Sequence, residues 1–224
     1  MERNNVLVPE ADLARQREFE EKIKGMFTAR EAHPVACVDT FGCQQNVADG
    51  QKLMGMLEAM SFTFTDKPAE ADLVILNTCA VREHAEDRVF GNLGALTHAK
   101  KENPEMVIAL CGCMAQEPRV SQRIKKSYPL VNLVFGPHAL WKFPELLWRV
   151  YESRKRVFPV DDEHGTIADG IPVVRAKGVN ACRSITFRRN NLCSYSLLPY
   201  VRGRHPSRDP ARTLQDAPAR VDAG

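Results

Sequence analysis

Apolar positions along this chain come in two textures that take turns. Some stretches carry apolar residues three or four apart among charges, and others are short unbroken apolar runs. The first follows the 3.6-residue period of an amphipathic helix, and the second has the length of a buried strand. Leu13, Phe19, Ile23 and Phe27, recurring at near-helical spacing among charges, predict a helix over 9–31. Strands are predicted at 34–41 (PVACVDTF), 62–65, 71–78 (ADLVILNT), 106–110 and 131–135. Helices are predicted between and after them, over 44–60, 85–101, 118–127 and 138–154. In the 44–60 helix, Val47, Leu53, Met54 and Leu57 are expected to share one apolar face. The run at 71–78 has little polar alternation, as suits a strand covered on both faces. Strands alternating with helices predict an α/β fold with a mainly parallel sheet, flavodoxin-like or Rossmann-like.

The texture changes after residue 154. Polar stretches with Asp161, Asp162, Gly165, Asp169 and Gly170 read as a linker, and a β-like run starts near 178. The expected organisation is a helical extension over 1–33, the α/β domain over 34–154, a linker over 155–177 and the start of a second domain over 178–224. Length constrains that second domain. A complete (β/α)₈ barrel takes about 250 residues, more than all 224 here.

With 44% hydrophobic and 26% charged residues, the chain reads as globular rather than disordered. No apolar run approaches the ~20 residues of a membrane span. The charged N-terminus lacks the apolar core of a signal peptide. A cytoplasmic chain with no membrane partner is expected. The net charge of +3 divides unevenly, +7 over 171–224 and −4 over the rest. The basic segment suits a polyanion such as nucleic acid, or is an unfolded basic tail.

Seven cysteines without an export signal point to metal or thiol chemistry rather than disulfides. Cys43, Cys79 and Cys113 each follow a predicted strand and precede a helical stretch, one βαβ length apart. In an open parallel sheet such positions share one edge, where ligands bind. Three thiolates there suit an iron–sulfur cluster with one iron left open, or a zinc site completed by His84 or His138. Adjacent helix N-termini would favour the thiolates. Cys37 and Cys111 lie inside predicted strands and are read as packing residues, as is Cys182. Gly42 and Gly112 precede two of the trio, where a tight turn needs a missing Cβ. Asn46 and Asn77 sit at the same edge, placed either to bond cluster sulfurs or to cap a helix. Arg82 and Glu83 read as a solvated charge pair.

The segments TFGCQQN, ILNTCAVRE and CGCMAQ, followed by NNLCSYSLLPYVRGRHPSRDP, resemble the motifs of the radical SAM methylthiotransferases, in the branch that modifies tRNA. The resemblance runs from about residue 34 to about 210. It implies an auxiliary [4Fe–4S] cluster on Cys43, Cys79 and Cys113. It also implies a partial (β/α) barrel holding a second [4Fe–4S] cluster and S-adenosylmethionine. The implied activity adds a methylthio group to isopentenyladenosine beside the tRNA anticodon.

This sequence departs from the family at the second cluster. Its CxxxCxxC aligns with Arg189 to Ser196, so Arg189 and Ser196 stand where cysteines are usual, and Cys193 is the sole candidate ligand left. Arg has no lone pair to offer. Cys182 falls too far upstream to substitute, and Cys193 reads as a spare thiol. Arg188 replaces the usual preceding glycine. Tyr200, Arg202 and Arg204 read as substrate contacts or as a solvated basic loop. With most of the barrel unaccounted for, the chain reads as a fragment, inactive alone. No catalytic residue is assigned. Two other readings stand beside the enzyme: a non-catalytic iron–sulfur module, and a metal-free flavodoxin-like interaction domain.

Overall fold

Five of the short apolar runs become the strands of one parallel sheet. The computed structural model describes residues 8–80 and 83–159, together with Ile171 and Val173. The strands are β1 (Val35–Thr40), β2 (Thr63–Phe64), β3 (Leu73–Thr78), β4 (Val107–Gly112) and β5 (Leu133–Phe135). They lie in the order β2-β1-β3-β4-β5, all parallel. This is the flavodoxin-type order, in which the strand sequence reverses between β1 and β3 and leaves a crevice at their carboxyl ends. Every residue of β3 and β4 is buried, which is why those runs carry no apolar/polar alternation. The edge strand β2 is exposed and two residues long, a length that offers little template for further pairing.

Five α-helices cover the two faces: α1 (Glu10–Ala29), α2 (Gln44–Ala59), α3 (Glu83–Glu102), α4 (Pro118–Ser127) and α5 (Phe143–Ser153). Leu73 and Ile75 point to one face and pack with Ile23 and Phe27 of α1, Leu53, Met56 and Leu57 of α2, and Phe143 and Leu147 of α5. Val74 and Leu76 point to the other and pack with Val89 and Leu93 of α3 and Val120 and Ile124 of α4. The strand period of two sorts one run into two cores. The N-terminal helix α1 is tied to α5 by Gln16, which donates to Glu145 Oε2 (3.3 Å) and accepts from its N–H (3.2 Å).

Two expectations shift. The segment 138–154 is not one helix: a 3₁₀ stretch, Pro137–Lys142, precedes α5. Pro144 is the cause. It lacks an N–H and its ring crowds the carbonyl four residues back, so it sits in the first turn of a helix and not inside one. On α2, Val47 is exposed and Met54 only partly buried; the buried face instead carries Asn46, Asp49, Gly50, Leu53, Met56 and Leu57. Asn46 is taken inward by its hydrogen bond to the Thr78 carbonyl, and buried Asp49 is met by Gln45 and Lys52 of the same helix; a hydropathy pattern registers neither.

Beyond α5 the chain stays attached to the sheet through residue 158. Val157 forms a parallel bridge with Leu133. The Arg156 guanidinium donates to the carbonyls of Ile124, Lys125, Tyr128 and Val131 at 2.8–3.1 Å. It thereby pins the end of α4 and the loop before β5 to the chain that follows α5. The expected start of a second domain at 178–224, Cys182, Cys193 and Arg82 lie outside the described residues.

Candidate functional site

The carboxyl edge of the sheet gathers the motif residues because each parallel strand delivers its last side chains there. Cys43 ends the loop after β1 and is the residue immediately before the first turn of α2. Cys79 directly follows β3. Cys113 follows β4 and starts a 3₁₀ turn, Met114–Gln116, so α4 begins only at Pro118. Cys43 is exposed, while Cys79 and Cys113 are buried. None of the five described cysteines is in a disulfide.

Two glycines make the close approach possible. Gly42 has φ of +152° and Gly112 of +91°, values that L side chains rarely adopt. A Cβ on Gly42 would stand 2.9 Å from the Cβ of Cys79, so the first and second motifs touch there. A Cβ on Gly112 would stand 2.4 Å from the Thr78 carbonyl oxygen, so the second and third touch as well.

An asparagine pair fastens these contacts. Asn46 Oδ1 accepts from Cys43 Sγ (3.5 Å) and from Cys113 Sγ (3.9 Å). Its Nδ2 donates to the Thr78 carbonyl at 2.8 Å. Asn77 Nδ2 donates to the Asn46 carbonyl at 2.7 Å and to Thr40 Oγ1 at 3.5 Å. Asn77 Oδ1 is buried without a hydrogen-bond partner, over Gly112. Neither asparagine caps a helix; of the two roles open to them, contact with the sulfurs is the one Asn46 makes. Thr78 Oγ1 donates to the Cys111 carbonyl at 2.9 Å, linking β3 to β4 just below the site. Thr40, Thr78 and Gly50, whose missing Cβ leaves the room that Thr40 Oγ1 occupies, were not singled out from sequence. A polar pair ending an apolar strand (Asn77, Thr78) and a glycine inside a helical run were the available signals.

Cys37 and Cys111 face the two cores, 1% and 0% exposed. Burial, with Asp39 and Asp66 nearby, pushes the Cys37 thiol up to about 11. Burial likewise raises the Asp39 carboxyl. His138 is buried on the 3₁₀ stretch after β5.

Among the described residues, no three His, Cys, Asp or Glu side chains are grouped as a single-ion site. The structure brings the Cys43 and Cys113 sulfurs to one amide oxygen and sets Cys79 beside Gly42, so three thiol-bearing segments share one sheet edge. A cavity of about 290 Å³ lies at the opposite edge, beside Met106, Asn132 and Tyr151. Its charged groups engage one another or the backbone: Arg154 pairs with Glu105, and Lys100, its amine lowered by burial, donates to the Pro104 and Met106 carbonyls. No helix among the described residues is long and apolar enough to cross a membrane.

Residues 35–136, from the first residue of β1 to the residue after β5, match the model of a family described as "Uncharacterized protein family UPF0004". The chain is 44% identical over 219 residues to a tRNA-2-methylthio-N(6)-dimethylallyladenosine synthase of Acetivibrio thermocellus, covering 96% of this chain and 46% of the relative. It is 43% identical over 207 residues to the protein of that name from Caldicellulosiruptor saccharolyticus, covering 91% and 44%. The chain thus spans about half the length of the curated relatives it matches.

Proposed function

We propose, from a UPF0004 domain over residues 35–136 and from relatives named tRNA-2-methylthio-N(6)-dimethylallyladenosine synthase, that this chain holds an iron–sulfur cluster and belongs to a tRNA methylthiotransferase. The observation that carries the reading is the meeting of three thiol-bearing segments at the carboxyl edge of β1, β3 and β4, fastened through Asn46. Cys43, Cys79 and Cys113 would each hold one iron of a [4Fe–4S] cluster, leaving the fourth iron open. When bound, such a cluster supplies inorganic sulfur and a redox-active centre. The rest belongs to the chain. The crowded glycines bring the motifs into contact, the asparagine pair fixes their spacing, and burial of Cys79 and Cys113 limits water on that side.

In this reading the whole protein works in the cytoplasm on a tRNA adenosine, with S-adenosylmethionine and a second cluster as co-reactants. The expected domain limits are a helical extension to 33, the cluster domain over 34–154, a linker over 155–177 whose first residues, through 158, still pack on the cluster domain, and the start of the catalytic barrel beyond. This chain carries Arg189 and Ser196 where two of the second cluster's three cysteines are usual. One thiol, Cys193, does not hold a cluster of that kind. The chain by itself is therefore expected not to cleave S-adenosylmethionine.

Anaerobic reconstitution with iron and sulfide tests both parts. The wild-type chain should hold about four irons, and Cys79→Ala should lose them. Equal iron in both would remove the trio as ligands. No iron in either would favour a metal-free interaction domain, the reading that draws on the lack of a grouped ion site among the described residues. Release of 5′-deoxyadenosine after reduction would overturn the expected inactivity.

A further inference from the structure

We infer that Asn46 is a positioning residue that sets all three cysteine segments around one point. The inference rests on the cluster reading only for its purpose, since the geometry stands without a metal. Asn46 is fully buried in the first turn of α2. One side chain reaches every motif. Its oxygen meets the sulfurs of Cys43 and Cys113, and its amide nitrogen donates to the carbonyl of Thr78, the residue before Cys79. Its main-chain carbonyl is held in turn by Asn77.

The orientation of the amide is decided by chemistry. A backbone carbonyl accepts and never donates, so the NH₂ must face Thr78 and the oxygen must face the sulfurs. The amide also has little room to swing. A Cβ on Gly42 would already stand 3.0 Å from Nδ2 and 3.1 Å from Cγ, so the Gly42 backbone closes that side. Asparagine is a weak helix former because its side chain competes for backbone groups. Here that competition is put to use across strands, on the Thr78 carbonyl. The geometry points to a role no aliphatic residue fills: a donor on one end for the β3 segment, and an acceptor on the other for the β1 and β4 segments.

The two Oδ1 contacts need S–H donors, so Asn46 sets the segments in the metal-free chain, before the thiols give up their protons to iron. The test compares the 224-residue wild-type chain with Asn46→Ala and Asn46→Asp, the latter keeping the shape but replacing the donor. In the metal-free, reduced chain, diamide, a two-electron thiol oxidant, should add to exposed Cys43 and be displaced by the neighbouring buried Cys113, joining the two as a disulfide quantified by peptide mass spectrometry. The rate should fall about tenfold or more in both variants, and equal rates would overturn the inference. After reconstitution, the variants should hold less iron and give an altered electron paramagnetic resonance spectrum of the reduced cluster. An unchanged iron content and spectrum would also overturn it. If wild type takes up no iron, the cluster reading fails while the cross-linking still decides the role of Asn46. Circular dichroism identifies a variant that does not fold. In that case Asn46→Ser is read by the same cross-linking, and the side-chain amide signals of Asn46 in ¹⁵N-labelled wild type are followed instead. Those signals should move when Cys43 and Cys113 are cross-linked, and unmoved signals would overturn the inference.

Discussion

Cys111 and Cys113 are two residues apart, yet they belong to different regions of the molecule. Cys111 is inside β4, completely buried among Ile75, Ala109 and Phe135 on one core face. Cys113 is past the end of the same strand, and its sulfur meets Asn46. Both are inaccessible, so exposure does not distinguish them. Gly112 does. With φ of +91° it turns the chain out of the ladder, and it delivers the next residue to the edge where the other motifs arrive. Cys37 and Cys43 repeat the contrast on β1. A thiol inside a parallel strand is a small apolar packing group, whereas a thiol one to three residues past its carboxyl end can join others from neighbouring strands.

The sharpest way to break this comparison is by reactivity. With its thiol pushed up to about 11, Cys37 has about one thiolate in a thousand at pH 8. Exposed Cys43 should be alkylated at least about a hundredfold faster than Cys37 in the native metal-free chain, read by mass spectrometry over time. Comparable rates would mean that the strand interior does not protect its thiols. Gly112→Ala attacks the turn itself. A Cβ there would press on the Thr78 carbonyl in a backbone conformation alanine avoids, and about 3 kcal/mol of stability should be lost in urea unfolding. Cys111→Ser should cost about 2 kcal/mol by placing a hydroxyl in an apolar core, while leaving reconstituted iron unchanged. Loss of iron in that variant would blur the division between packing and site.

The smallest expected effect lies away from the cysteines and checks that the core faces behave independently of the edge. Burial holds the Glu20 carboxyl on α1 up at about 6, with Arg17 opposing. A carboxyl raised in the folded state favours folding while protonated, and that contribution is lost as pH climbs from about 4.5 through about 6. Glu20→Gln should therefore raise Tm slightly at pH 8 and leave it unchanged at pH 4, as thermal melts would show. The iron content should stay the same. A gain only at low pH would reverse the sign and refute the burial of a charged group.

Much of the fold was legible because burial leaves a periodic trace. The strand runs and the helices α1 to α4 fall close to where spacing predicts them. The fifth helix was drawn too long because an apolar pattern continues through Pro144, while the backbone, lacking that N–H, does not. At the site, the strand-end placement of Cys43, Cys79 and Cys113 and the need for glycine at 42 and 112 could be read directly. The inward turn of Asn46 could not, since hydropathy marks asparagine as a surface or capping residue.

By itself, then, the sequence determined which segments are strands, which residues end them, and that two glycines must turn the chain beside cysteines. These are local matters of period, burial and backbone sterics. Only the tertiary structure decided that β3 lies between β1 and β4, and that a single amide reaches all three motifs. Lateral strand order and meetings between distant side chains arise from long-range pairing, whose partners leave no periodic signal in either segment alone.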